Sequence, residues 1–278
     1  MILVKKIKEL QKELQLFRSL GSVGFVPTMG ALHRGHLSLI KKAATENKVV
    51  AVSIFINPTQ FNDQNDLKRY PRNLEADLAL LEPTGCDLVF APEPEEIYPE
   101  PDTRKFSFGH LEEVMEGKFR PGHFNGVAQV VSKLFEIVQP NRAYFGLKDF
   151  QQLVIIKNMV KQLALPVEIV PCPIVREKSG LAMSSRNKWL SDEERKNAAL
   201  IHQTLSEAKK LIGKKSVNEL KKWVKEQFNQ NPFLTVEYFE VVDDENLRPV
   251  NNWDEKSTKV GCIAVFCGKV RLIDNIVF

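Results

Sequence analysis

The fold is decided by the stretch Pro27-Thr28-Met29-Gly30-Ala31-Leu32-His33-Arg34-Gly35-His36, which joins a predicted strand to a predicted helix. Residues 22–26 form a short apolar run typical of a buried strand, and residues 36–44 carry helix formers, with Leu37 and Ile40 on one face. A strand that enters a helix through a glycine-bearing turn directs backbone N–H groups and the positive end of the helix dipole at one point. The stretch therefore predicts an α/β fold with a site for a phosphate.

Two histidines stand at this turn. His33 and His36 lie three residues apart, so both imidazoles fall on one side of the first helical turn. Each ring can donate an N–H to a phosphate oxygen, and Gly35 lets a flat group such as a base approach the backbone. The alternative is a pair of surface histidines on a helix cap. The preceding strand and Gly30 favour the phosphate site.

The stretch resembles two nested family signatures. His33-x-Gly35-His36 is similar to the HIGH signature of the nucleotidyltransferase superfamily, which includes class I aminoacyl-tRNA synthetases. The whole string resembles the pantothenate synthetase family, whose members join pantoate to β-alanine with ATP and Mg2+ through a pantoyl adenylate. The resemblance implies a Rossmann-like parallel sheet, a homodimer and catalytic roles for His33 and His36. It also implies ATP contacts for Met29, Gly30, Ala31, Leu32, His33, Arg34, Gly35 and His36.

A second motif, Asn57-Pro58-Thr59-Gln60-Phe61, follows a continuous apolar run at residues 49–56. Such a run predicts a strand buried on both faces, and open α/β sheets bind ligands beyond the carboxyl ends of their strands. The alternative for Asn57 is a simple Asn-Pro turn. The family resemblance implies that Gln60 contacts pantoate and β-alanine and that Asn57 belongs to the pantoate site.

Tyr70-Pro71-Arg72 leads into a predicted helix with Asn73 as its cap and inward-facing leucines. We assign Tyr70 a supporting role. Asp77 on the same helix is either part of a magnesium site or a solvated surface carboxylate. Residues 87–91 predict the next strand, and the proline- and glutamate-rich residues 92–102 suggest no function.

A polar loop at residues 118–126 precedes a helix with a clear apolar stripe from Val127 to Val138. His123 and Arg120 are candidates to face the same cleft. Taken alone, His123 fits a loop histidine with a structural hydrogen bond. The family also shows Arg-Pro-Gly-His-Phe here, which implies a supporting role for His123.

A predicted strand at residues 143–146 ends in the string Phe145-Gly146-Leu147-Lys148-Asp149-Phe150-Gln151-Gln152, which opens a helix at residues 150–164. Lys148 offers a point charge to a phosphate. The alternative makes Asp149 an N-cap and Lys148 a surface residue. The string resembles the family pattern, which implies ATP contacts for Gly146, Leu147, Lys148 and Asp149, catalysis by Lys148 and a pantoate contact for Gln152. Leu147 replaces an acidic residue of that pattern.

A strand predicted at residues 167–170 is followed by Leu181-Ala182-Met183-Ser184-Ser185-Arg186-Asn187. Hydroxyls, backbone N–H groups and one arginine in a mobile segment can close over a triphosphate, although a Ser-Ser-Arg loop alone has no such meaning. The segment resembles the counterpart of the synthetases' KMSKS loop. This implies a closing loop at residues 178–186, catalysis by Arg186 and ATP contacts for Val175, Met183, Ser184, Ser185 and Arg186. Lys178 and Ser179 depart from the family's Ala-Asp.

The chain has 278 residues, 43% of them hydrophobic, and a net charge of only +4. No run of Lys and Arg marks a nucleic-acid surface, and the four scattered cysteines lack CxxC spacing and are read as reduced packing residues. The apolar N-terminus is too short for a signal peptide, and no stretch predicts a membrane span. These features predict a cytoplasmic protein.

Two domains are expected: a Rossmann-like ATP- and pantoate-binding domain at residues 1–175, and a smaller α+β lid domain at residues 176–278. Residues 2–20 predict an amphipathic helix. In the second domain, Ser191 with Glu194 and Ser216 with Glu219 fit capping boxes. Strands are predicted at residues 235–242, 261–266 and 269–273.

Two other functions remain open at this point. Another adenylyl-transferring enzyme of the same superfamily would use the histidine pair but would not need the amides of Asn57, Gln60 and Gln152. An RNA-binding module descended from a tRNA synthetase would need a basic face or an anticodon-type domain, and the sequence shows neither.

Overall fold

The computed structural model describes residues 1–62 and 64–278. The chain divides into two compact units. The first comprises Met1–Leu147 and Ile155–Pro173, and the second comprises Lys148–Val154 and Ile174–Phe278. Among the described residues, no helix is long and apolar enough to cross a membrane.

A six-stranded parallel sheet forms the centre of the first unit, with the strand order β1-β4-β3-β2-β5-β6. The strands are β1 (Ile2–Val4), β2 (Val23–Thr28), β3 (Val49–Ile54), β4 (Leu88–Phe90), β5 (Arg142–Gly146) and β6 (Glu168–Cys172). From β2 the chain adds β3 and β4 on one side, and β5 and β6 then extend the sheet on the other. The order of the strands therefore reverses between β2 and β5, which is where sheets of this class bind ligands.

Helices cover both faces of this sheet. The helices up to residue 162 are α1 (Ile7–Arg18), α2 (Arg34–Glu46), α3 (Gln64–Arg69), α4 (Leu74–Leu81), α5 (Pro94–Ile97), α6 (His110–Glu113), α7 (Met115–Phe119), α8 (His123–Val138) and α9 (Phe150–Gln162). Neighbouring side chains of β2 point to opposite faces. Val26 packs in a cluster with Ile40 of α2, while the ring of Phe25 lies 6.4 Å from that of Phe135 in α8. The central strands are thus buried on both sides, as their unbroken apolar runs predict.

The second unit is α+β, as predicted. An antiparallel sheet of β7 (Leu234–Asp243), β8 (Lys259–Cys267) and β9 (Val270–Val277) packs against α10 (Asp192–Lys210) and α11 (Val217–Glu226). Both predicted capping boxes are confirmed, because Ser191 and Ser216 each accept the backbone N–H three residues on. All four cysteines are buried with free thiols.

Two predicted elements differ from the structure. Residues 2–4 are not helical but form β1, which pairs in parallel with β4. The helix begins only at Ile7, after Lys6 in extended conformation, because sheet pairing outweighs the helical pattern of an apolar N-terminus. In addition, His123 is the first residue of α8 rather than a loop residue. The other predicted boundaries lie within a few residues of the observed ones.

Candidate active site

The turn between β2 and α2 is held by buried hydrogen bonds. The Thr28 hydroxyl donates to the Ser53 carbonyl at 2.7 Å and accepts the Gly30 N–H at 3.2 Å. Gly30 and Ala31 then have φ angles of +75° and +49°, in the left-handed region that favours glycine. The turn is therefore a fixed structure whose strain at Ala31 needs compensation.

Asp77 of α4 supplies that compensation. Its two carboxylate oxygens accept the backbone N–H groups of Ala31 at 2.9 Å and Leu32 at 2.7 Å. Asp77 is only 3% exposed, so the prediction of a solvated surface carboxylate is wrong. A Cβ on Gly30 would lie 2.9 Å from an Asp77 oxygen. The glycine thus makes room for the carboxylate that orients the turn.

The histidine pair forms the start of α2. Nδ1 of His33 accepts the N–H of Gly35 at 3.1 Å, and Nδ1 of His36 accepts the N–H of His33 at 3.3 Å. The rings stack with their centroids 4.0 Å apart. A neutral imidazole whose Nδ1 accepts a hydrogen bond carries its proton on Nε2. Each histidine can therefore cap the helix through one nitrogen and donate to a ligand through the other.

Gln60 follows β3 and lies within a rigid polar frame. The Asn57 amide donates to the Gly126 carbonyl at 3.0 Å and to Gln60 Oε1 at 3.3 Å. Asn57 Oδ1 accepts the phenol of Tyr98 at 2.9 Å. Burial raises the pKa of Tyr98 to about 12, so this phenol remains a donor at neutral pH. Asn57 is 1% exposed and its amide is occupied within the protein, which makes it a support for Gln60.

Further contacts fix the backbone of Gln60. Nδ1 of buried His123 lies 2.8 Å from the Gln60 carbonyl oxygen. Gly126 packs so tightly that an added Cβ would lie 2.5 Å from the Thr59 carbonyl oxygen. The Gln60 Nε2 group in turn lies 2.9 Å from the sulfur of Met29. Sulfur is a weak acceptor, so a ligand oxygen can replace it.

Tyr70 is buried beneath the turn. Its ring meets that of Phe61 edge-on at 5.7 Å, and both rings share an apolar cluster with Ala31.

Most predicted site residues of the first unit fall into two neighbouring groups, one after β2 and one after β3. These two strands pair in register from Val23 with Val49 to Thr28 with Ile54. Gly146 ends β5, which also pairs with β2.

The second unit holds the other predicted residues. Lys148 Nζ lies 3.2 Å from the Asp149 carboxylate, and the Lys148 side chain is 19% exposed. Gln152 is half-buried in the first turn of α9. Asp149 belongs to a 3₁₀ turn, Leu147–Asp149, that precedes the helix. Lys148 is thus a partly buried cation and not a fully exposed surface residue.

Residues 175–186 form a narrow hairpin followed by a capped turn. The Met183 N–H donates to the Val175 carbonyl at 3.0 Å, and the Glu177 N–H donates to the Leu181 carbonyl at 2.8 Å. Ser184 caps the 3₁₀ helix Ser185–Trp189 by accepting the Arg186 N–H at 3.3 Å. The Glu177 carboxylate accepts hydrogen bonds from the Arg195 guanidinium at 2.7 Å and from the Asn187 amide at 2.8 Å. The stretch is therefore an ordered loop with its own hydrogen bonds.

Sequence reasoning missed the structural roles of Asp77 and Tyr98. Asp77 had a detectable signal, because it shares the i, i+3, i+4, i+7 stripe of α4 with Leu74, Leu78 and Leu81. A carboxylate at a core position needs hydrogen-bond donors. Tyr98 had no comparable signal, since only the folded chain brings it to Asn57.

The described side chains offer little support for a metal site built by the protein itself. Within the described ranges, no three His, Cys, Asp or Glu side chains are grouped to hold a metal ion. Both Asp77 oxygens already accept backbone N–H groups. Mg2+ at nucleotide sites is commonly held by substrate phosphates and water, which requires no such cluster.

A parallel sheet with a stacked histidine pair after its central strand β2 is the arrangement expected of a nucleotide-binding α/β enzyme of the HIGH-signature class. Comparison with known proteins gives the particular family. Residues 2–277 match the family model described as pantoate-beta-alanine ligase. The chain belongs to the pantoate–β-alanine ligase family, and it is therefore an enzyme that condenses pantoate with β-alanine to form pantothenate.

Individual relatives agree with this assignment over the full length. The chain is 58% identical over 277 residues to pantothenate synthetase of Bacteroides fragilis strain YCH46, covering 99% of this chain and 98% of that protein. Pantothenate synthetase from Thermus thermophilus superposes with a TM-score of 0.93 at 46% identity, covering 99% of both chains. The Francisella tularensis pantoate-beta-alanine ligase, complexed with beta-gamma ATP and beta-alanine, gives 0.81 at 37% identity, covering 100% of this chain and 97% of that one.

Proposed function

We propose that this chain condenses (R)-pantoate with β-alanine in two steps at the residues described above, to form pantothenate (vitamin B5) for coenzyme A biosynthesis. The pantoate carboxylate first attacks the α-phosphorus of ATP, which forms pantoyl adenylate and releases pyrophosphate. The amine of β-alanine then attacks the acyl carbonyl, which forms pantothenate and releases AMP. No protein nucleophile is needed, because the adenylate is itself the activated acyl group.

Charge neutralisation is the main requirement of the first step. A carboxylate and a triphosphate are both anionic, so donors must be fixed where charge builds up. The Nδ1 bonds of His33 and His36 support their assignment as Nε2–H donors to the phosphates. Family resemblance supports the assignment of full positive charges to Lys148 and Arg186. The stacked histidine pair at the switch point carries this proposal.

Pantoate recognition is assigned to Gln60 and Gln152. Asn57 donates to Gln60 Oε1 and His123 contacts the Gln60 carbonyl oxygen, and these contacts support the assignment because neither occupies Gln60 Nε2. The weak contact of Gln60 Nε2 with Met29 sulfur leaves a donor for a pantoate oxygen. Gln60 also serves β-alanine in the second step.

The remaining assignments concern Mg2+, the backbone contacts of ATP, closure of the loop, and the oligomeric state and location of the protein. Mg2+ is proposed to enter as the MgATP complex, with ATP contacts from the backbone near Met29, Gly146 and Val175. Closure of residues 178–186 would keep water from the adenylate. Family resemblance supports a homodimer, and four free buried thiols are compatible with a cytoplasmic protein.

The experiment that tests this proposal follows pyrophosphate and pantothenate during incubation with MgATP and pantoate, with and without β-alanine. We expect pyrophosphate to require pantoate and pantothenate to require β-alanine. His36→Asn keeps an oxygen acceptor for the His33 N–H but lacks Nε2–H. We expect it to fold normally and to lose about 10²–10³-fold in kcat/KM for ATP, the loss typical for one such donor.

Either of two results would contradict the proposal. Wild-type activity in His36→Asn would remove the phosphate role of the histidine. Pyrophosphate release with a different acceptor, but not with pantoate, would indicate another adenylyl-transferring enzyme. A melting curve of the variant excludes unfolding as the cause of lost activity.

A further inference from the structure

The last strand, β9, carries two adjacent polar residues in the interior of the second unit. Asp274 is 4% exposed and Asn275 is 5% exposed. Successive side chains of a strand point to opposite faces, so the two residues serve different surroundings. Buried polar groups are costly unless they are hydrogen-bonded. Their partners therefore indicate what the strand holds in place.

Asp274 holds the hairpin that precedes Met183. Its carboxylate forms a two-pronged ion pair with Arg176, with N–O distances of 2.6 and 3.0 Å. Arg176 also donates to the Gly180 carbonyl at 3.1 Å, across the turn of the hairpin. The Arg176 backbone bridges to Ala182 in the antiparallel sense. One carboxylate on β9 thus fixes both the base and the turn of the hairpin.

Asn275 holds a different segment. Its side-chain Nδ2 donates to the backbone carbonyl of Lys148 at 3.0 Å. Its backbone N–H donates to Asp274 Oδ1 at 2.8 Å, so the Asp274 carboxylate is also bonded to the backbone of its neighbour. A single dipeptide on β9 therefore contacts the backbone of Lys148 and the hairpin that leads to Arg186.

We propose that Asp274 and Asn275 are positioning residues for ATP: Asp274 acts through Arg176 on residues 175–186, and Asn275 acts through the backbone of Lys148. The inference rests on the proposed function, which assigns both segments to ATP. Neither side chain needs to touch the nucleotide. Their effect is to keep two cationic segments of the second unit in a fixed relation to each other.

Stability alone gives a poor reason for this arrangement. A buried ion pair often adds little or no net stability compared with apolar side chains of similar size, because both charges lose their hydration. Asp274 has a side chain only 3% exposed, and Arg176 only 21%. A pair that contributes little to stability but fixes geometry fits a positioning role.

The same strand provides a matched control. Arg271 of β9 pairs with Glu237 of β7, and their side chains are 20% and 16% exposed. This pair joins two strands of the sheet instead of a substrate loop. Glu237→Gln therefore removes a comparable half-buried ion pair in the same unit without altering the contacts of Asp274 or Asn275.

The test measures the ATP dissociation constant by titration calorimetry with MgATP alone, together with the KM values for ATP and pantoate and the melting temperature. We expect Asp274→Asn and Asn275→Ala each to weaken ATP binding about tenfold, with the pantoate KM unchanged. Glu237→Gln should lower the melting temperature without changing ATP binding. A double variant, Arg176→Met with Asp274→Leu, should regain stability but not ATP affinity.

The outcomes separate this inference from the proposed function. Unchanged ATP affinity in Asp274→Asn, or recovery of ATP affinity in the apolar double variant, would overturn the positioning role. A wild-type protein that binds MgATP but forms no pantothenate would refute the proposed function and still allow the ATP comparison. A wild-type protein that binds no MgATP would overturn both.

Discussion

Gly146 ends β5 at the switch point, and the position that a side chain would take there is open. Among the described residues, no heavy atom outside its chain neighbours lies within 4 Å of the position that a Cβ would take. Its φ angle lies outside the left-handed region. An added methyl group would therefore meet no obstacle in the protein itself, and any cost would come from a bound ligand.

We expect Gly146→Ala to retain the melting temperature and to raise the KM for ATP about tenfold or more, because the methyl group takes space proposed for the nucleotide. Gly24→Ala is the contrasting control. Its Cβ would lie 2.5 Å from the Asn47 side-chain nitrogen, so it should lower stability without a specific effect on ATP. Steady-state kinetics and thermal melting check both. An unchanged ATP KM in Gly146→Ala would argue against a nucleotide contact there.

Some residue roles could be predicted from sequence, and others depend on the folded chain. The spacing of His33 and His36 predicts that their rings share one side, and the rings indeed stack. The use of each Nδ1 as a helix cap could not be predicted, because it depends on ring rotation within the turn. The leucine pattern predicts the helix that carries Asp77, but the partners of Asp77 at Ala31 and Leu32 are 46 and 45 residues away in sequence.

At the scale of elements, the segment from 92 to 102 acquires a structural role. It contains α5 and then Tyr98, whose phenol donates to Asn57. Asp102 at its end pairs with Arg104 at 2.7 Å. Arg104 in turn donates to the Gln129 carbonyl of α8 at 3.1 Å, which holds the segment against that helix. A stretch without a recognisable motif thus supports Asn57, and through it the side chain of Gln60.

We expect Tyr98→Phe to raise the pantoate KM about three- to tenfold and to leave the ATP KM unchanged. The loss of one hydrogen bond should lower the free energy of unfolding by about 1 kcal/mol, since Asn57 Oδ1 still accepts from the Thr59 hydroxyl. Tyr144→Phe is the matched control, because that buried phenol donates to Glu46 at 2.8 Å. If both variants change the pantoate KM equally, the effect is one of general stability.

Elements with a long periodic pattern could be predicted well, and short ones could not. The stripe of α8 and the apolar run of β3 each bury a large face, so local pattern and tertiary packing agree. β1 has three residues and exists only through pairing with β4. Its apolar residues continue the periodicity of α1 in sequence, so the pattern alone predicts a helix that is too long.

For the molecule as a whole, His202 of α10 links stability to pH. Burial, and then the guanidinium of Arg176, lower the pKa of this imidazole below its ordinary value of 6.5, while Asp274 opposes the change. Nδ1 of His202 has no hydrogen-bond partner among the described residues. As the pH falls below about 6.5, the unfolded chain therefore takes up a proton at this residue before the folded chain does.

We expect the free energy of unfolding to fall between pH 7.5 and 5.5, and to fall less in His202→Gln than in the wild type. The difference should approach about 1.4 kcal/mol for each pH unit that separates the folded and unfolded pKa values, down to the folded pKa. Urea unfolding at both pH values measures it. Parallel pH dependence in the two proteins would show that His202 does not contribute.

The position of β2 at the centre of its sheet also has a consequence for folding order. Val23 and Asn141 are joined by a 2.7 Å hydrogen bond although 118 residues separate them in the chain. Contacts between distant parts of a chain require closure of long loops and form slowly. The pairing of β2 with β3 can form early, whereas its pairing with β5 must wait. Acquisition of nucleotide binding during refolding would therefore report completion of the sheet, and not the appearance of its first strands.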